Sequence, residues 1–171
     1  MKRIEIEFRR HALKGNGQYK EMLSPEGIAQ AEKIGAEEMK GRGFTHIATT
    51  PYFRTAQTAC AFAKGAGDFT CLNHVTLDAL FTKRLDELVE YVKKYGAIVE
   101  PEHALIKAES ARMANEFSVW LETLPDNARV LAVGHSPLLE ILYYGLTKEI
   151  VAPLKECGRI TFSTGIERLA P

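Results

Sequence analysis

Four residues in this chain combine a type and a placement that could do chemistry: Arg10, His11, Arg54 and His135. Arg10 and His11 stand together in FRRHA, where the alternating stretch RIEIEF gives way to a polar loop. Arg54 falls within TTPYFRTAQTA and His135 within AVGHSP. A guanidinium group presents a planar fork of donors that suits phosphate or carboxylate oxygens. A neutral imidazole is a nucleophile or a proton carrier near pH 7. Each residue alone has a plainer reading. A histidine after a strand is more often a hydrogen-bonded structural residue, and an arginine in a first helical turn is a surface charge that the helix dipole disfavours. Yet Arg9, Arg10 and His11 in a row repel one another and serve no apolar core, so an anion is expected beside them. That anion site must be local. The 22 basic and 22 acidic side chains cancel, leaving no general field to draw the chain onto nucleic acid or an anionic membrane.

The elements that would hold these residues alternate between strand and helix. Ile4, Ile6 and Phe8 recur at period two and predict a first strand. Ser24 and Pro25 suit an N-cap and a first helical position; Ile28, Ala31, Ile34, Ala36 and Met39 then continue a helical stripe that Gly41 and Gly43 stop. THIATT (45–50) predicts a second strand, a helix follows through YFRTAQTACAFAKG, and a weaker strand is expected near 72–77. Residues 83–124 read as two helical pieces, with GAIVEPEHALIK between them unassigned. RVLAVG (129–134) is the clearest buried strand, LLEILYYGL the helix after it, and GRITFS and GIERL the final strands. Over a single domain, 1–171, this alternation predicts an α/β fold, a three-layer sandwich whose mostly parallel central sheet carries helices on both faces. Ligands of such sheets bind beyond the carboxyl ends of the strands. That rule gathers Arg10, His11, Arg54 and His135 at one edge, where helix N-termini at Pro51 and Pro137 add backbone donors.

RRHA after the first strand, TTPYFRTAQTA after the second and AVGHSP late in the chain together resemble the motifs of the histidine phosphatase superfamily, the phosphoglycerate mutase-like fold, in its short cytosolic branch. LSPEGIAQAEKIG is similar to that family's first helix, and the likeness runs to at least residue 145. The resemblance implies that His11 is the nucleophile taking the phosphoryl group, that Arg10 and Arg54 clamp the phosphate, and that His135 contacts the same phosphate. It implies a phosphatase with a phosphohistidine intermediate, acting on a phosphohistidine protein or a small phosphomonoester. No metal or cofactor is expected, since two arginines and a second histidine can spread charge over the equatorial oxygens. A binuclear metal site is the competing reading of two histidines; it would want several carboxylates, and neither motif supplies one.

The sequence also departs from that pattern. Ala12, Leu13 and Lys14 follow His11 where the family often has Gly-Glu-Thr. The alanine is similar to that of small bacterial phosphohistidine phosphatases, and Lys14 is either a phosphate or substrate contact or an exposed loop lysine. Glu7 and Arg9 make the first strand polar for a central one. Many relatives place a general acid in a Leu-x-Glu segment after the third strand. In LDALFTKRLDE, Thr82 falls at that position, and Asp78, Asp86 and Glu87 are nearby candidates, so the acid is unassigned. An imidazole leaves more readily than an alkoxide, so a missing acid favours phosphohistidine or another activated phosphate. The alternatives are phosphoglycerate mutase chemistry, against which the short chain counts, and a non-catalytic phosphate-binding module, against which the paired histidines count.

Cys60, Cys71 and Cys157 are scattered and odd in number, which reads as reduced, mostly buried thiols and not as a disulfide frame or zinc site. Lys2 and Arg3 precede no apolar leader, and no stretch is long enough to span a membrane. A cytoplasmic protein meeting a phosphorylated small molecule or phosphoprotein, and neither nucleic acid nor membrane, is expected. The role of the 83–110 excursion is not legible.

Overall fold

The computed structural model describes residues 2–67 and 73–165. Five strands, β1 (Glu5–Arg10), β2 (His46–Thr49), β3 (Asn73–Thr76), β4 (Arg129–Gly134) and β5 (Arg159–Ser163), form one sheet in the order β3-β2-β4-β1-β5. The first four of that order run parallel, and β5 lies antiparallel along β1. Five helices connect them: α1 (Pro25–Ile34), α2 (Phe53–Ala66), α3 (Leu85–Tyr95), α4 (Ala104–Thr123) and α5 (Leu138–Thr147).

Period-two alternation of β4 divides the core into two. Val130 and Ala132 face Met113 and Phe117 of α4 and Leu139 and Leu142 of α5. Leu131 and Val133 face Ala31 of α1 and Ala59 and Phe62 of α2. Helices therefore cover both faces, giving the three layers that the alternating pattern predicts. At the start of α1 the Ser24 hydroxyl accepts from the Gly27 N–H at 3.0 Å, with Pro25 in the first helical position. The stripe expected through Met39 does not stay α-helical: α1 gives way to a π-helical turn over Gly35–Met39. The change comes where Gly35 presses on α2, so closely that a Cβ there would lie 2.2 Å from the Phe62 carbonyl oxygen.

The unassigned GAIVEPEHALIK resolves into a turn and the start of α4. Tyr91 pins the turn, its hydroxyl donating to Ile98 O at 2.6 Å and accepting from the Glu100 N–H at 2.9 Å. The final expected strand, GIERL, lies outside the described residues beyond Gly165. Cys60 is exposed and Cys157 buried, both free thiols; Cys71 lies outside the described residues. Among the described residues no helix is long and apolar enough to cross a membrane.

The polar first strand has a specific answer. Glu7 and Arg9 point to the face opposite Phe8, and both are buried. Arg9 Nε pairs with Glu7 Oε1 at 2.6 Å, Nη2 with Glu38 Oε2 at 2.8 Å, and Nη1 donates to Cys157 O at 2.9 Å. Arg42 reaches Glu7 Oε2 at 2.9 Å. Buried charge is costly unless paired and hydrogen-bonded, and here each nitrogen of Arg9 has a partner. The anion expected beside all three cations of FRRHA is, for Arg9, a pair of the chain's own carboxylates. For Arg10 and His11 the surroundings differ.

Candidate active site

Strand register brings the site together. Arg10 lies opposite Gly134 across the β1–β4 ladder, so the residues that follow, His11 and His135, emerge side by side. The His11 N–H donates to Gly134 O at 3.0 Å, and the two imidazole centroids are 5.0 Å apart. β2 pairs with β4 on its other side, Thr49 opposite Val133. The first turn of α2 thereby delivers Arg54 to the same corner. All four residues selected from the sequence line one cavity of about 380 Å³.

The hydrogen bonds fix the two histidines in opposite tautomers. His11 Nδ1 lies 2.7 Å from Ala12 O. A carbonyl can only accept, so Nδ1 carries the proton and Nε2 keeps its lone pair. Arg54 Nη2 lies 3.4 Å from His135 Nδ1. A guanidinium can only donate, so His135 accepts there, and its Nε2–H faces Thr50 Oγ1 at 3.0 Å. Both rings are held neutral. Burial, reinforced by the charges of Arg54 and Arg10, lowers His11 from 6.5 to about 4. Burial, then His11 and the same two arginines, lowers His135 to about 2.

Each arginine is oriented and incompletely satisfied. Arg10 Nη1 donates to Leu154 O at 2.7 Å, and Nη2 pairs with Glu156 Oε1 at 3.1 Å. Arg54 lies over the Tyr52 ring, 4.5 Å from its centroid, and pairs with Glu21 Oε2 at 3.1 Å. The Nε atoms of both arginines are buried without a partner. The cavity has two characters: Arg10, His11, Arg54 and His135 form its polar floor, and Tyr52, Phe81, Leu85, Leu88 and Leu138 an apolar wall. Part of that wall is α3, which gives the excursion after residue 83 a place at the site. Lys14 and Asn16 complete the mouth.

The acid candidates fare differently. Thr82 is buried and its hydroxyl accepts from the Arg84 N–H at 3.0 Å. Glu87 is engaged by Arg84 across two short contacts and, like Asp86, lies on a separate surface depression. Asp78 opens a one-turn 3-10 helix and lines no part of the cavity. Among the described residues the carboxylate that does line it is Glu156, which sequence reasoning missed; nothing in the polar turn LKECG marks it. Glu140 was missed as well. Its Oε1 accepts from Ser136 Oγ at 2.6 Å and from the Leu154 N–H at 2.7 Å, fixing the carbonyl that holds Arg10. Burial pushes its carboxyl group above the ordinary range, against the pull of those hydrogen bonds. A single acid inside the apolar run LLEILYY was its available signal. Among the described residues no group of three or more histidine, cysteine or acidic side chains is placed to hold a metal ion.

The family model for the histidine phosphatase superfamily (branch 1) matches residues 8–157. The chain belongs to that superfamily. A comparison with curated protein sequences finds no match. Among solved structures, this chain is similar to a mycobacterial glucosyl-3-phosphoglycerate phosphatase, with TM-score 0.68 and 15% identity over 94% of this chain and 90% of that one. It is similar to the phosphoglycerate mutase of Bacillus anthracis, with TM-score 0.65 and 15% identity over 95% and 88%. A structure assigned to the phosphohistidine phosphatase SixA of Agrobacterium tumefaciens aligns with TM-score 0.51 and 18% identity over 84% and 75%. At these identities the likeness is one of fold, the phosphoglycerate mutase-like α/β sandwich.

Proposed function

We propose that this chain is a phosphatase in which His11 Nε2 attacks the phosphorus of the substrate and carries the phosphoryl group as an intermediate. The observation that supports it most is the His11 Nδ1–Ala12 O hydrogen bond at 2.7 Å, which leaves Nε2 unprotonated beside two arginines. A nucleophile must be deprotonated, and a ring lowered to about 4 is so across the physiological range. Arg10 and Arg54 clamp the phosphoryl oxygens, their unpartnered Nε–H groups being donors a phosphate would satisfy. His135 stands beside His11 at the same corner of the cavity, held between Thr50 and Arg54. Positioning and charge stabilisation of this kind need no metal or cofactor.

The substrate class follows from the leaving group. With Thr82, Asp78, Asp86 and Glu87 all away from the cavity, none of the acid candidates named from the sequence is placed to donate a proton, and this favours a phosphate on imidazole or another activated group over an alkyl phosphate. The apolar wall of Phe81, Leu85, Leu88 and Leu138 suits a flat ring better than the polyanionic skeleton of a bisphosphoglycerate, which counts against a mutase. Rates on a phosphohistidine protein, an aryl phosphate and an alkyl phosphate are expected to fall in that order. Radioactive phosphate should be trapped on the wild-type protein and not on His11→Ala. Alkyl phosphate cleaved as fast as phosphohistidine would overturn the substrate assignment, and phosphate trapped on His11→Ala the nucleophile.

A further inference from the structure

We propose that Glu156 is a catalytic residue of this pocket: the base that takes a proton from the water hydrolysing phosphorylated His11. The inference rests on the phosphohistidine reading above. Glu156 comes from a segment 145 residues beyond His11, outside all three motifs, yet its carboxylate lines the cavity and pairs with Arg10 Nη2 at 3.1 Å. It is near enough to His11 for its charge to oppose the lowering that burial and the arginines impose. Its side chain is 37% exposed, so solvent water reaches it. The other acidic partner of the clamp, Glu21 on Arg54, is more exposed at 56% and does not line the cavity.

The turn carrying Glu156 is strapped in place from three directions. The Arg10 N–H donates to Gly158 O and the Cys157 N–H to Arg10 O, both at 3.1 Å. Arg9, from the buried network on the far face, holds Cys157 O, and Glu140 holds the Leu154 N–H. Cys157 itself sits at φ 58, a left-handed conformation that residues with a side chain seldom adopt. Such backbone persists only where its surroundings over-determine it. The carboxylate is thus pre-placed beside the clamp, which is what a proton acceptor in a short-lived step requires.

The chemistry balances. In the first step His11 Nε2 bonds to phosphorus, the leaving group departs with its electron pair, and the ring, still carrying Nδ1–H, becomes a phosphorylated imidazolium. In the second, a water oxygen bonds to phosphorus, the P–Nε2 bond breaks, and its electron pair returns to Nε2. The water's proton passes to Glu156, hydrogen phosphate leaves, and Glu156 then releases the proton to solvent. The Glu156 carboxylate lines the cavity 3.1 Å from Arg10 Nη2, where a water attacking phosphorylated His11 would meet it, so it serves the second step. That reconciles a pocket carboxylate with a first step that lacks an acid.

Glu156→Gln tests this. The amide oxygen can still accept from Arg10, so the clamp is kept while the base is lost. With an aryl phosphate in rapid mixing, the variant should release about one aryl alcohol per site at the wild-type rate. It should then turn over about a hundredfold more slowly, with phosphate held on His11. Glu156→Asp should recover part of the loss. Phosphorylated His11 decaying at equal rates in variant and wild type would overturn the base assignment alone. So would a slowed burst that worsens with leaving-group basicity, the signature of an acid or of a displaced clamp. Turnover with no phosphate ever held on His11 in either protein would overturn the phosphohistidine reading and this proposal with it.

Discussion

Arg9 and Arg10 leave β1 on opposite faces of the sheet and meet opposite surroundings. Arg9 is 1% exposed, and each of its three nitrogens is engaged by Glu7, Glu38 or the Cys157 carbonyl. Arg10 opens into a cavity with its side chain 28% exposed, and its Nε has no partner. A fully paired guanidinium has nothing left to offer a ligand and serves the fold. A partly paired one, aimed into a cavity beside an unprotonated imidazole, can take an anion without first breaking the structure apart. Both arginines fasten the same 154–158 turn, so the buried network on one face steadies the site on the other.

The largest effect expected on the site side is His11→Ala, with turnover lowered about 10⁴-fold or more, as for loss of other nucleophiles. Thermal unfolding should move little, because the ring faces the cavity and not the packed core; a collapse of the fold would erase the division between site and scaffold. Next, Arg9→Met should destabilise the fold by about 3–5 kcal/mol in urea unfolding, since it leaves Glu7 buried with one partner fewer. Arg10→Met should cost less than about 1 kcal/mol of stability while lowering kcat/KM about a hundredfold. Equal stability losses in the two would break the contrast. A smaller effect is expected from Arg54→Lys, which keeps the charge and loses the planar fork: kcat/KM should drop about tenfold or more, roughly 1.4 kcal/mol. Chelators should leave activity unchanged in wild type and variant alike, and activity restored by a divalent ion would contradict the metal-free clamp.

The smallest effect concerns pH. In the unfolded chain His11 titrates near 6.5; in the folded chain burial first, then Arg54 and Arg10, lowers it to about 4. Below pH 6.5 the unfolded chain binds a proton that the folded one refuses. Stability contributed by the neutral ring is complete above about pH 6.5 and declines as the pH falls toward 4. His11→Gln should therefore lose less stability than wild type between pH 7 and 5. After correction for substrate ionisation, the acid limb of kcat/KM should lie well below 6.5. A limb at 6.5 would mean that burial does not set the protonation of His11.

Much of this is legible in the sequence. Residue type and period are local properties, so Ile4, Ile6 and Phe8 announced a strand, and Ser24-Pro25 a helix start. The carboxyl ends of parallel strands meet at one edge by construction, which is why Arg10, His11, Arg54 and His135 could be grouped from sequence. The π-helical turn at Gly35–Met39 could not be read, because it depends on how closely α2 approaches. Nor could the function of Arg9, whose partner Glu38 arrives from the end of that turn.

By itself the sequence determined which residues could do chemistry and at which strand ends they stand, because side-chain identity and hydrophobic period are carried along the chain. Only the tertiary structure decided what surrounds them. Arg10 meets the Leu154 carbonyl across 144 positions, Glu156 joins the cavity while Thr82 does not, and α3 becomes a wall. Those outcomes turn on distances between segments and on which face each side chain takes, and neither is fixed until the layers have packed.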